Sequence, residues 1–150
     1  MYEILLTLHI VAFGMALALT AGASILAGRV GGSKDPAIIH TVYGALYPVT
    51  MTGGMLWFVT GALGFWVAAE VGLSLGETWL TMSFAVFAVL LVTGFFVHAP
   101  YIRAVIAASE RGAMTPELEK ALASPAGPIA SAVSAVSTIA LVYLMIAKPG

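Results

Sequence analysis

Hydrophobic residues fall into four long blocks, Ile4–Gly28, Tyr43–Ala69, Trp79–Ala99 and Pro128–Ala147, and nearly every charged residue lies between or beyond them. A hydrocarbon layer requires about 20 residues of helix at ~1.5 Å rise, a length each block reaches. The pattern predicts an all-α integral membrane four-helix bundle, one domain spanning residues 1–150. The first block could pass for a secretory signal, but Met1-Tyr2-Glu3 carries no basic residue and the apolar run is too long, so it reads as a retained helix.

The breaks between blocks carry their own instructions. Asp35-Pro36 has the form of an N-cap followed by proline in the first turn, so helix 2 is expected to start at Pro36 and to hold His40 outside the hydrocarbon. Thr115-Pro116-Glu117 repeats the signal within the long connection Pro100–Gly127 and predicts a short helix to Leu122, with Pro125 and Pro128 ending it and opening helix 4. Pro48, inside the second block, removes a backbone donor and predicts a kink, with Thr50 and Thr52 placed to satisfy the freed groups. Gly53 and Gly54 leave a notch that suits a neighbouring helix or a flat ring. Ala130, Ser134, Ser137 and Leu141 form a small-residue stripe suited to close packing of helix 4.

Charge orients the bundle. Arg29, Lys34, Arg103, Arg111 and Lys120 fall on one side and only Lys148 on the other, so the positive-inside rule makes the first side cytoplasmic. Both termini are then periplasmic, the short helix between helices 3 and 4 is cytoplasmic, and the location is a bacterial inner membrane. Tyr2, Trp66, Trp79 and Tyr143 are expected at the outer interface as aromatic anchors.

Composition narrows the chemistry. Of 150 residues, 61% are hydrophobic and 9% charged, and the net charge of −1 gives no footprint for nucleic acid. The lipid bilayer is the implied partner, with a larger membrane complex or a second copy of the chain as alternatives. No cysteine is present, which excludes disulfides, thiolate metal sites and thioether-linked haem. No carboxylate lies mid-span and no inverted repeat is visible, which argues against a pump or secondary transporter.

Three histidines remain. Counting from helix midpoints puts His9 roughly 10 Å outward and His98 roughly 12 Å inward of the membrane centre, too far apart to share one haem iron. His40 shares the inner side with His98, about 13 Å away if the helices are straight. Met82 and Met145 fall at the level of His9, and a histidine with a thioether partner is a known haem ligation. Each residue also has a plain structural use: an imidazole can bond across helices, and methionine fills irregular gaps. Glu3 reads as a hydrated acid at a helix start.

Several segments also carry a resemblance. Leu8-His9, Tyr47-Pro48-Val49-Thr50-Met51-Thr52-Gly53-Gly54 with Thr60-Gly61, Trp79-Leu80, Pro100-Tyr101-Ile102-Arg103 and Tyr143 to Pro149 resemble a group of mostly uncharacterised bacterial four-helix membrane proteins. That group is similar in layout to HemJ-type protoporphyrinogen oxidases and, more loosely, to CopD-like copper-resistance proteins. The resemblance implies b-type haem with a helix 1 histidine, which His9 matches. The HemJ-type helix 3 lysine has no counterpart here, because no Lys or Arg occurs between Lys34 and Arg103. The expectation is therefore an inner-membrane haem b or tetrapyrrole protein in electron transfer or haem handling, liganded at His9, with His98 and His40 as a second site and Met82 or Met145 as a partner ligand. The rival expectations are a non-catalytic accessory subunit of a larger respiratory or photosynthetic membrane complex, and a copper or small-solute transporter.

Overall fold

The structure, a computed structural model, describes residues 1–149. In order it contains α1 (Tyr2–Gly31), α2 (Pro36–Glu70), α3 (Thr78–Thr93), a π-helical turn (Gly94–His98), α4 (Ala99–Ser109), α5 (Pro116–Leu122) and α6 (Ala126–Ala147). Four helical stretches are long and apolar enough to cross a membrane, the third running continuously from Thr78 to Ser109. The expected helix starts are in place. The Asp35 carboxylate accepts from the Ala37 and Ile38 amides, and the Thr115 hydroxyl accepts from the Leu118 amide.

The third span corrects the sequence reading, which placed a loop from Pro100 onward. Proline cannot donate to the carbonyl four residues back, and its ring crowds that carbonyl. The π-turn resolves the conflict by widening the helix just before Pro100, with the Ala99 amide bonded to the Gly94 carbonyl. The helix then continues to Ser109. His98, placed near the inner interface by counting along a shorter helix, lies only about 7 Å from the middle of this longer span.

The second correction concerns Thr50 and Thr52. α2 runs unbroken through Pro48, but Thr52 is exposed and the buried Thr50 hydroxyl has no hydrogen-bond partner. Neither is bonded to the backbone groups that Pro48 frees.

Two close helix pairs form the bundle. α1 lies along α2, and α3 lies along α6. The first pair meets at Gly53, where a Cβ would sit 2.7 Å from Thr20 Cγ2 and 3.2 Å from Leu19 Cβ, so this glycine serves helix approach. The two pairs are held apart by aromatic side chains. Phe84 meets Phe65, Phe87 meets Trp57 beside Gly61, and Phe95 lies against Phe58 and Gly54. A spacing of one aromatic ring leaves room between the pairs.

The basic end is closed by packing. Ala23, Ala27, Ile39, Tyr43, Ile102, Val105 and Leu118 form one buried cluster that seats α5 under the spans. The Tyr43 hydroxyl donates to the Ala27 carbonyl at 3.1 Å, and so accepts from the Tyr101 hydroxyl at 3.4 Å. Gly127 of α6 abuts the Tyr101 ring, where a Cβ would lie 2.7 Å from two ring carbons. Gly127→Ala is expected to destabilise the bundle by about 1–3 kcal/mol through overpacking, seen as a lowered thermal midpoint in detergent.

At the opposite end Tyr2, Trp66 and Tyr143 are exposed, as interfacial aromatics would be. Trp79 is not: it is buried with Ala68 and Leu80, and the Lys148 ammonium lies 5.5 Å from its ring centroid. Covering by the C-terminal lysine explains why an aromatic at a helix start is withdrawn from the surface.

Candidate functional site

The gap between helix pairs is divided into two cavities in series. The outer one, towards the termini, has a volume of about 410 Å³, and the inner one, towards the basic end, about 430 Å³. Buried Trp57 lines both, and with Ala16, Leu90 and Leu141 it forms the septum between them. Each cavity holds one histidine: His9 the outer, His98 the inner. Both volumes fall in the range of about 300–1,000 Å³ typical of ligand sites.

His9 is buried and firmly oriented. Its Nδ1 lies 2.9 Å from the Thr60 carbonyl oxygen. A carbonyl can only accept, so Nδ1 carries the proton and the neutral ring has its lone pair on Nε2. Gly64 provides the seat for the ring: a Cβ there would stand 2.8 Å from His9 Cε1 and 3.2 Å from Nδ1. Thr60 is itself held in place, its hydroxyl donating to the Leu56 carbonyl at 2.8 Å. The result is an imidazole with one nitrogen tied to backbone and the other without a partner among the described residues, on a ring that lines a cavity.

The remaining sequence candidates divide clearly. Met145 lines the same cavity as His9, and so does Lys148 at its mouth. Met82 does not; it is exposed on the outer face of α3, where methionine packs against lipid. His40 is half-buried at the basic end, with Nδ1 3.1 Å from Ser109 Oγ. The Ser109 proton is used on the Ile106 carbonyl, so His40 donates to Ser109. Ser109 lies eleven residues beyond His98 on the same span, about 16 Å of helix, so the structure does not bring His40 and His98 together. Among the described residues no cluster of three or more histidines and carboxylates is poised to hold a metal ion.

Sequence reasoning gave no role at this site to Thr60, Gly64, Trp57 or Lys148. Thr60 acts through its backbone carbonyl, which its side chain does not advertise. Gly64 resembles the other small residues of α2 until its partner is known. Trp57 gains its role from position between two spaces. Lys148 was read only as the lone outer charge.

The all-helical bundle, with four membrane-length spans and two half-open cavities each lined by one histidine, is that of a small polytopic membrane protein. The chain belongs to the family described as "Predicted integral membrane protein (DUF2269)", whose model matches residues 3–149. No curated protein and no solved structure matches it.

Proposed function

We propose that the protein binds b-type haem or a related tetrapyrrole in the outer cavity, where His9 would hold its iron, and acts in electron transfer or haem handling in a bacterial inner membrane. The observation that carries this reading is the His9 ring itself. With Nδ1–H bonded to the Thr60 carbonyl, Nε2 is left as a donor on the cavity wall, the arrangement by which proteins fix and strengthen metal-binding imidazoles. The other lining residues suit the same group. Met145 brings a thioether to the cavity, and Lys148 a cation at its mouth where carboxylate substituents of a tetrapyrrole would be neutralised. Bound haem would supply one-electron exchange; the protein's own residues orient the ligand, exclude water and set the polarity around it.

The test is haem content. Protein solubilised mildly from haem-replete membranes is expected to carry about one haem b per chain, with a Soret band and sharp α and β bands on dithionite reduction. Colourless protein from such a source overturns the reading. Copper without porphyrin would favour the metal-transport alternative, for which imidazole and thioether donors also suit Cu(I). Constant co-purification with larger subunits and no cofactor would favour the accessory-subunit alternative.

A further inference from the structure

We infer that the inner cavity is a binding site for a neutral, lipid-soluble quinone. Two polar groups mark it as built for a ligand that carries hydrogen-bonding oxygens. The Thr50 side chain lines this cavity from α2; it is 6% exposed, and its buried hydroxyl has no partner among the described residues. His98 is 9% exposed and lines it from the π-turn, and none of the side-chain hydrogen bonds among the described residues engages its ring. An unsatisfied buried hydroxyl is costly, and in hydrocarbon no solvent relieves it. An acyl chain would leave both groups unpaired. A carbonyl or hydroxyl oxygen on the ligand would accept from Thr50 once its hydroxyl, turned away from the cavity in this structure, rotates about χ1, and would pair with His98 as either donor or acceptor.

The rest of the wall fixes the class further. No Asp, Glu, Lys or Arg lines the cavity, so a charged ligand finds no counter-ion there. Ser131 and Ser134 of α6 add hydroxyls on the far side. Trp57 and Phe95 present aromatic walls, suited to a flat ring. Ile25 and Ile139 line the cavity yet are largely exposed on the bundle surface, so the opening faces the acyl chains and the ligand enters from the bilayer. His98 is the last residue of the π-turn, and such turns occur frequently at functional sites.

The inner site does not depend on a cofactor at His9, so its test stands apart from haem content. Protein reconstituted in phosphatidylcholine nanodiscs is titrated with decylubiquinone, reading tryptophan fluorescence in a Trp66→Phe background that removes the lipid-exposed indole. Saturable quenching is expected, because Trp57 borders the site. Thr50→Val is expected to weaken the apparent affinity about tenfold, the loss of one hydrogen bond, with Thr50→Ser restoring it. Ser134→Phe, which fills the cavity, is expected to abolish saturable quenching. A photoreactive azidoquinone on the unaltered protein is expected to label α2, the π-turn or α6 at residues of this cavity, a readout that survives if a variant misfolds. Quenching that rises linearly, as for partition into lipid, overturns the proposal. So does saturable binding indifferent to Thr50→Val and Ser134→Phe, or labelling confined to the outer cavity.

Discussion

Gly64→Ala is expected to leave the bundle folded and to strip it of the haem proposed to bind at His9. The added Cβ would stand 2.8 Å from His9 Cε1, which forces a shift, and a tight 3.2 Å from Nδ1. The group that yields is the imidazole, the movable end of a side chain, rather than a helix backbone. Swinging the ring away breaks the Nδ1–H bond to the Thr60 carbonyl and with it the fixed orientation of Nε2. Loss of such an orienting partner typically weakens metal affinity about 10–100-fold. The variant keeps every ligand atom, so haem lost with a thermal midpoint matching that of the haem-free parent marks orientation, not composition, as the requirement. Haem content and thermal unfolding of the same preparation give both readings.

Gly53→Val is expected to do the opposite, preventing folding whatever becomes of the site. Here a Cβ meets Thr20 Cγ2 at 2.7 Å, Leu19 Cβ at 3.2 Å and the Thr20 backbone nitrogen at 3.4 Å. With backbone on the far side, relief requires α1 to move off α2 along the closest helix pair in the bundle. Overpacking costs about 1–3 kcal/mol where side chains can shift, and more where helices must separate, and tight approach at small residues drives helix association in lipid. The expected result is little or no monodisperse protein after solubilisation. Gly22→Ala is the control: a Cβ there meets nothing within 4 Å, and alanine favours helix by about 1 kcal/mol over glycine.

The spans were legible because bilayer thickness imposes a length that apolar runs must meet, and the helix starts at Pro36 and Pro116 because Asp35 and Thr115 satisfy local amides. The course of the third span was not. Pro100 is an honest stop signal, and the π-turn that carries the helix past it has no signature in residue type. The candidate site was half legible. An intramembrane histidine is conspicuous, so His9 stood out, and helical counting put Met145 at its level. Counting equally put Met82 there, because depth along an axis says nothing about which way a residue faces. Thr50 was read as a helper for Pro48, since only the packed structure shows its hydroxyl left without a bond. The division of the interior into two chambers depends on where aromatic rings of α3 lodge against α2, a tertiary property that no local pattern encodes.

The most direct measurement is the reduced-minus-oxidised absorption spectrum of unaltered protein beside His9→Ala and His98→Ala, all prepared from haem-replete membranes. The account predicts sharp α and β bands in the unaltered protein and in His98→Ala, and none in His9→Ala. Bands that survive His9→Ala, or that vanish only in His98→Ala, would contradict His9 as the ligand and move the cofactor to the inner cavity.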